Sequence, residues 1–139
     1  MSLSEAEVAI LESIMSPIVG FPVDEARLSE LGGSLVSIAV GGGLVWLQMC
    51  SWRIESDSDF LVACEDHRDH IRAAVPALDG RTLTSVHVSR FLDLTFRFAD
   101  LRLVVFTAAS VPTDVESWSV QLPSGEVLFA LSGARWSLR

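Results

Sequence analysis

Residues 92–106 of the chain, Leu-Asp-Leu-Thr-Phe-Arg-Phe-Ala-Asp-Leu-Arg-Leu-Val-Val-Phe, decide the fold. Apolar and polar side chains alternate strictly over 92–98, which is typical of a β-strand with one buried face. Ala99-Asp100 predicts a tight turn, and the apolar residues then continue over 101–106, with Phe106 on the face opposite to the buried one. The stretch therefore predicts an antiparallel hairpin.

A second stretch, residues 35–47, repeats this arrangement. Its two apolar runs flank Gly41-Gly42-Gly43, and glycine reaches the positive φ angles that a hairpin turn requires. A tryptophan strand follows each hairpin, at Trp52 and at Trp118, and we predict that both indoles are buried. The similarity fits an internal duplication. Any antiparallel meander also looks self-similar, so both interpretations stand at this point.

The N-terminal segment predicts an α-helix. Ser4 and Glu7 have the spacing of a capping box, apolar residues then recur at helical intervals, and Pro17 ends the pattern. A second, short helix is predicted over 66–75, with Asp66 as its N-cap.

These patterns predict one α+β domain over residues 1–139. The chain has 139 residues and is 50% hydrophobic, which is enough material for one packed core. We predict an antiparallel sheet of about six to eight strands, strongly curled or split in two, with the N-terminal helix packed on one face. Further strand candidates are residues 60–64, 82–88 and 127–131.

The charge balance excludes several classes of partner. Ten arginines and no lysine oppose 18 acidic residues, for a net charge of −8. Because such a chain lacks a basic footprint and repels anionic lipid, we predict no nucleic-acid partner and no membrane partner. It attracts basic proteins, although acidity also keeps an apolar chain soluble. The N-terminal residues are acidic and lack a basic leader, so we expect a cytoplasmic protein.

One cluster has the residue types of a metal site. Residues 64–70 read Cys-Glu-Asp-His-Arg-Asp-His, and His67 and His70 would share a helix face. The spacing is not that of a zinc motif, and acids are favourable at any helix start, so we predict no structural zinc and no cofactor. Cys50 and Cys64 lie in apolar stretches and are predicted to be free thiols that behave as small hydrophobic residues. Cys64 is predicted to be a poor nucleophile, because the neighbouring Glu65 and Asp66 disfavour its thiolate. GxSxG, Walker A and GxGxxG patterns are absent, so the sequence favours a non-enzymatic protein and selects no catalytic residues. A Ser/His/Asp triad assembles in space rather than in sequence, so that alternative stays open.

Two groups of acidic residues flank the predicted strand 60–64. We predict that a basic protein partner binds here, because charge steering speeds association between opposite charges. The alternative is that these acids only solubilise a loop. The predicted partner-binding residues are Glu55, Asp57, Asp59, Glu65, Asp66 and Asp69.

Trp52-Arg53-Ile54 with the later Asp66, and residues 92–106 with the later Glu116-Ser117-Trp118, resemble a family of small, largely uncharacterised bacterial proteins common in actinomycetes. That family has a tryptophan-arginine strand, a later acidic residue, a strand pair, and an E-x-W strand before a glycine turn. Some of its members resemble immunity proteins of contact-dependent and polymorphic toxin systems. The resemblance spans residues 28–136 and implies an α+β fold without catalytic residues. The absence of Lys, Asn and Tyr, whose codons are AT-rich, also indicates a GC-rich bacterial gene.

Three hypotheses about function follow. The first is a non-enzymatic, acidic protein-binding domain, in the form of an immunity protein that neutralises a toxin. The second is a small-ligand-binding or enzymatic β-rich domain with an aromatic-lined cavity, to which the four tryptophans would contribute. The third is a homodimeric structural domain, suggested by the apolar run Leu44 to Met49 if that strand lies at an exposed edge.

Overall fold

The computed structural model of the protein describes residues 2–108 and 115–139. Over these residues the chain forms two α-helices, α1 (Glu5–Met15) and α2 (Arg68–Ala74), each continued by a short 3-10 turn. The eleven strands are β1 (Val23–Leu28), β2 (Val36–Val40), β3 (Gly43–Leu47), β4 (Ser51–Ser56), β5 (Phe60–Ala63), β6 (Leu83–Val88), β7 (Leu94–Phe98), β8 (Leu101–Phe106), β9 (Glu116–Gln121), β10 (Val127–Leu131) and β11 (Arg135–Leu138).

The strands form two antiparallel sheets. Sheet 1 has six strands in the order β1-β2-β3-β9-β10-β11, and sheet 2 has five in the order β5-β4-β8-β7-β6. The predicted α+β class, the antiparallel pairing and the split into two sheets are confirmed. The predicted number of about six to eight strands is wrong, because the described residues form eleven. The alternative of a strongly curled sheet is also wrong, since neither sheet is closed or strongly curled.

The strands that the sequence patterns did not predict are β1 and β11. In β1, a bulge between Val23 and Glu25 shifts the register, so the buried side chains are Val23, Ala26 and Leu28 rather than every second residue. Strand β11 has only four residues and includes Arg135, so it carries too few apolar positions for an alternation to be recognised.

Over the residues that the structure describes, the chain consists of two halves with the same order of elements. Each half has a helix with its 3-10 turn and then five strands, α1 to β5 in the first half and α2 to β10 in the second. The bulge between β1 and β2 recurs at the corresponding step between β6 and β7. Two-residue turns close both hairpins, at Gly41-Gly42 and Ala99-Asp100.

The halves exchange strands. Each half contributes its first three strands to one sheet and its next two to the other, so β4 pairs with β8 and β9 pairs with β3. In these pairings Trp52 lies opposite Val105, and Trp118 lies opposite Leu47, at corresponding positions of the two hairpins. Each half is therefore held in place by strands of the other half.

A pseudo-two-fold arrangement relates the halves where β1 and β6 begin. Pro22 and Thr82 form an isolated antiparallel bridge. Around it, the Leu83 amide donates to the Phe21 carbonyl and the Val23 amide donates to the Arg81 carbonyl, both at 2.9 Å. Leu83 and Arg81 come 60 residues after Val23 and Phe21, so the two hydrogen bonds join equivalent positions with the halves interchanged. Because an ordinary meander predicts neither this reciprocity nor the shared bulge, the similarity between the halves is structural.

The two predicted core tryptophans lie in the core. Trp52 is 2% exposed and Trp118 is fully buried, which confirms the prediction. The Trp52 indole donates to the Ser34 carbonyl at 3.1 Å. The Trp118 indole donates to the Thr107 hydroxyl at 2.9 Å, and that hydroxyl donates to the Leu92 carbonyl at 2.5 Å. Each buried indole N–H is thus satisfied, as burial in an apolar core requires.

Helix α1 has the predicted capping box of Ser4 and Glu7, and its Leu11 and Met15 are buried. It packs beside the sheet 2 edge strand β6, where the Glu12 carboxylate accepts the Val88 amide at 3.0 Å. Among the described residues, neither helix is long and apolar enough to cross a membrane.

Helix α2 begins later than predicted. Its N-cap is His67, whose Nδ1 accepts the Asp69 amide at 3.2 Å, and the first helical residue is Arg68. Asp66 does not cap the helix, because its carboxylate accepts the Ala63 amide at 2.8 Å and so closes the turn after β5.

The segment Leu44 to Met49 does not lie at an exposed edge. Strand β3, which contains most of it, pairs with β2 on one side and β9 on the other, in the interior of sheet 1. The exposed edge strand from which a homodimer was predicted is therefore not found at this segment, since both rows of backbone groups on β3 face neighbouring strands.

Candidate functional site

The first group of predicted partner-binding acids is held by arginines. Glu55 lies on β4 and accepts hydrogen bonds from the Arg53 Nε at 2.7 Å and from the Arg102 guanidinium at 3.2 Å. Burial alone would raise the pKa of Glu55, but the hydrogen bonds from Arg53 and Arg102 outweigh it and lower that pKa below 4.5. The negative charge of Glu55 is thus neutralised within the sheet.

Asp57 forms an ion pair with the same guanidinium group. It lies 2.5 Å from the Arg102 Nη1, and the hydrogen bonds to Asp57 and Glu55 raise the pKa of Arg102. In the register of β7 and β8, Arg102 lies opposite Arg97. The two acids therefore offset a like-charge cross-strand pair, which would otherwise be unfavourable.

The second group of acids lies around the start of α2. The carboxylate of Asp69 bonds the Arg72 guanidinium at 3.0 Å. Asp66, besides closing the turn after β5, lies 4.0 Å from the His70 Nε2. Asp59 and Glu65 have no ion pair among the residues that the structure describes. The role of all six acids in partner binding stays a prediction, and Asp59 and Glu65 are the two whose charges are not offset.

Replacing Glu55 by Gln tests the ion pairs on the outer face of sheet 2. Because the folded-state pKa of Glu55 is lowered, its ionised form contributes stability above about pH 4.5 that is lost as pH falls through the folded-state pKa. We expect Glu55→Gln to reduce the free energy of unfolding at pH 7 by about 1 kcal/mol, and the difference to vanish at low pH. Urea unfolding between pH 2.5 and 7 measures this, with Asp59→Asn as the matched control. A pH-independent difference would contradict the assignment.

The most distinctive outer feature is a cluster of large apolar side chains around Phe106, the last residue of β8. Phe106 is 40% exposed and lines three adjoining clefts of 360, 410 and 420 Å³. Each cleft also contains one further exposed apolar side chain: Phe60 in the first, Phe91 in the second and Met49 in the third. We refer to Met49, Phe60, Phe91 and Phe106 as the Phe106 surface.

Local packing explains why this cluster is exposed. On β8 the odd-numbered residues up to Val105 are buried, so Phe106 follows on the outer face of sheet 2. The residue paired with it on β4 is Ser51, whose small side chain leaves the ring uncovered. The Arg53 guanidinium lies 5.4 Å from the centre of the Phe106 ring, at cation–π distance.

Charged groups border the Phe106 surface on both sides. Glu65 and Asp66 line the first cleft together with Arg53. In the second cleft the Asp93 carboxylate accepts the Thr107 amide at 2.9 Å. The surface is therefore apolar and aromatic at its centre and charged at its border, a distribution typical of protein interfaces.

The sequence predicted the acids but missed the apolar surface. The four side chains come from positions 49, 60, 91 and 106, which only the exchanged strands bring together. The one sequence signal was the placement of Phe106 on the face opposite to the buried residues of β8. An aromatic residue on the polar side of an alternating strand is a reason to look for a binding surface.

Both cysteines are free thiols, as predicted. Cys64 follows β5, and its sulfur accepts the Trp52 amide at 3.4 Å. Burial raises the pKa of the Cys50 thiol from 9.0 to about 12, against a smaller lowering by a hydrogen bond with the Gln48 backbone. Cys50 is therefore protonated at neutral pH, and a protonated thiol is a poor nucleophile.

Alkylation kinetics test the state of Cys50. With its pKa near 12 rather than 9.0, the thiolate fraction at pH 8 falls about a thousandfold, and the greater nucleophilicity of a more basic thiolate restores about twentyfold. We expect iodoacetamide to modify Cys50 in a Cys64→Ser variant roughly 50-fold more slowly than the same variant in 8 M urea. Equal rates in the folded and unfolded protein would contradict the burial of the thiol.

The ligand-type residues at 64–70 have other contacts in the structure. Within residues 2–108 and 115–139, no group of three or more His, Cys, Asp and Glu side chains is placed to hold a metal ion. His67 caps α2, and the His70 Nε2 lies 3.2 Å from the Leu61 carbonyl at the outer edge of β5. Both histidines thus have structural contacts.

Comparison of the chain with protein-family models, with curated proteins and with solved structures finds no match. The resemblance to immunity proteins therefore stays a prediction.

Proposed function

We propose that the protein is a non-enzymatic binding domain that captures a basic protein partner through the Phe106 surface. The observation that carries the proposal is that Phe106 joins three adjoining clefts, each with a further exposed apolar side chain. Exposed apolar clusters of this kind mark interaction sites, since water contact with large apolar side chains is unfavourable.

The composition of the surface supports a protein partner. Phenylalanine, methionine and arginine are enriched in the centres of protein interfaces, and all three are present here, with Arg53 against Phe106 and Arg90 5.1 Å from the Phe91 ring centre. A few buried aromatic anchors supply most of the binding free energy in such interfaces. Phe106 is the expected anchor, because it is the side chain common to all three clefts.

The charge supports a basic partner. The chain carries a net charge of −8, and Glu65, which has no ion pair among the described residues, lines the first cleft. Asp59 directly precedes Phe60 in the chain. Such acids at the border of an interface act mainly on the association rate and make it fall with ionic strength.

Neutralisation of a toxin is the specific form of this proposal that the sequence resemblance implies. In that form, the basic partner is a toxin domain and binding blocks its activity. Co-expression with a toxin encoded beside this gene tests it, because survival of the cells should depend on the Phe106 surface.

Site-specific photo-crosslinking tests the proposal as a whole. The photoreactive residue p-benzoylphenylalanine would replace Phe106, Phe60 or Phe21, one at a time, in cells that naturally contain the protein. Phe21 is a matched control because it is 49% exposed and its carbonyl bonds Leu83 at the start of β6, away from the Phe106 end of β8. We expect one basic protein to crosslink at positions 106 and 60 and not at 21, and the yield to fall with salt.

Two outcomes would contradict the proposal. One is the same set of crosslinked proteins at all three positions, which would mean that the apolar cluster selects no partner. The other is a specific partner that is acidic or whose crosslinking does not depend on salt, which would contradict attraction between the acidic residues and a basic partner.

A further inference from the structure

The two sheets have four edge strands, β1 and β11 in sheet 1 and β5 and β6 in sheet 2. An edge strand presents outward-facing N–H and C=O groups, and proteins usually cover or block them because they pair readily with other strands. Among the described residues, β11 is the edge strand on which none of these groups is bonded, whereas the other three edges are bonded over part of their length.

The edges of β1 and β6 are closed in part by the other half of the chain. On β1, the Ala26 amide donates to the Asp79 carboxylate at 2.7 Å, and Val23 exchanges hydrogen bonds with residues 80 and 81. On β6, the Val88 amide donates to the Glu12 carboxylate, and Leu83 exchanges hydrogen bonds with residues 20 and 21. Both edges are thus bonded inside the fold over part of their length, while the outward N–H and C=O of Leu28 on β1 and of Val86 on β6 have no partner among the described residues.

The edge of β5 is closed at Ala63 and at the Leu61 carbonyl by the turn and helix that follow it. Asp66 bonds both backbone groups of Ala63, through its carboxylate to the N–H and through its own N–H to the C=O at 3.1 Å. The His70 ring nitrogen bonds the Leu61 carbonyl. In the second half of the chain, the corresponding strand β10 is instead covered by β11, which transfers the open edge to β11.

The outward groups of β11 belong to Trp136 and Leu138. Val127 and Arg139 exchange both backbone hydrogen bonds, at 2.7 and 2.9 Å, so this is a hydrogen-bonded pair. Because such pairs alternate in an antiparallel ladder, Ser137 faces β10, and the backbone N–H and C=O of Trp136 and Leu138 point away from it. None of these four groups has a hydrogen-bond partner among the described residues.

We propose that the β11 edge binds an extended acidic segment of another protein, which adds to sheet 1 as a seventh strand. Main-chain hydrogen bonds to Trp136 and Leu138 would supply the pairing, as in other cases of strand addition. Arginines flank these two residues at both ends, Arg135 bonded to the Ser132 carbonyl and Arg139 4.5 Å from the Phe129 ring centre. Carboxylates opposite the two arginines would form favourable cross-strand pairs.

The charges disfavour a second copy of this chain as the occupant. In the antiparallel register that pairs all four outward groups of both copies, Trp136 lies opposite Leu138 of the copy. That register places Arg135 opposite Arg139 twice, and like charges directly opposite each other destabilise a pair. The proposed segment goes beyond the binding of a basic partner, since β11 lies in sheet 1 and the Phe106 surface lies on sheet 2 and its border.

Titration of the ¹⁵N-labelled full chain with a designed peptide tests the proposal. The probe Ac-Thr-Glu-Val-Thr-Val-Glu-Thr-NH2 places its two glutamates opposite Arg135 and Arg139, and a control peptide carries Lys in place of both Glu. We expect the Glu peptide, at concentrations up to ~1 mM, to shift the Trp136 and Leu138 amides most and to slow their hydrogen exchange. The Lys peptide should bind at least about tenfold more weakly.

Two variants separate the backbone contribution from the charge contribution. Leu138→Pro removes one outward N–H at a position where an edge strand tolerates proline, and it should abolish binding. Arg139→Glu should reduce the preference for the Glu peptide at least about fivefold, and this stands as the test if Leu138→Pro disturbs the strand. The proposal is overturned if neither peptide affects Trp136 and Leu138, if both peptides bind equally, or if the protein forms a dimer that protects these two amides.

Discussion

Replacing Trp118 or Trp52 by alanine should lower the free energy of unfolding by about 3–5 kcal/mol, the range for truncating a buried aromatic residue. Both side chains are buried, and each lies on a strand that one half of the chain contributes to the other half's sheet. Truncation therefore creates a cavity where the two halves meet. Urea unfolding followed by circular dichroism measures the change, and Trp46→Ala, on a partly exposed side chain, is the control with a smaller expected loss.

A conservative variant separates packing from hydrogen bonding. Trp52→Phe keeps an aromatic ring but leaves the Ser34 carbonyl without the indole donor, so we expect a loss of only about 1–3 kcal/mol. An unfolding midpoint that is unchanged in Trp118→Ala or Trp52→Ala would contradict the placement of these residues in the core.

Cutting the chain between its two halves should leave one intact complex. A protease site inserted after Glu65 lies in the connection between β5 and α2. After cleavage, the pairs β4–β8 and β3–β9 still join the fragments through their ladders. We expect the fragments to co-elute in size-exclusion chromatography and to unfold in one transition whose midpoint rises with protein concentration.

The uncut protein with the same insertion is the control, and its midpoint should not depend on concentration. Fragments that separate in native buffer, or that unfold in two independent transitions, would show that the halves are not held together by exchanged strands.

Local patterns predicted the local structure well. The alternation over 92–98, the turn at Ala99-Asp100 and the capping box of Ser4 and Glu7 all appear in the structure as expected. These features depend on residues close in sequence, where side-chain period and turn chemistry are sufficient.

The assignment of strands to sheets could not be predicted in the same way. Alternation specifies which face of a strand is buried, but it does not specify which strand lies beside it. The pairs β3–β9 and β4–β8 join residues more than 40 positions apart, and nothing local distinguishes them from pairing within each half. In β1, the bulge after Val23 also breaks the alternation that would have marked it as a strand.

In the candidate site, too, sequence predicted what depends on neighbouring residues and missed what depends on contacts between distant segments. Spacing along the chain identified the acids, but not that Arg53 and Arg102 neutralise Glu55, since Arg102 comes from β8. The Phe106 surface could not be recognised from sequence, because its four side chains come from separate segments of both halves. Isolated apolar residues on a surface are common, and only their assembly distinguishes a binding surface.

The affinity of the Phe106→Ala variant for the crosslinked basic partner, measured beside Phe21→Ala, tests the proposed function most directly. Both rings are partly exposed, so both variants should fold, and only Phe106 belongs to the three-cleft surface. We predict that Phe106→Ala weakens binding by about 30-fold or more, the effect of losing an interface anchor, while Phe21→Ala changes it less than about twofold. Unchanged affinity in Phe106→Ala, or an equal loss in Phe21→Ala, would contradict the proposal that the Phe106 surface binds the partner.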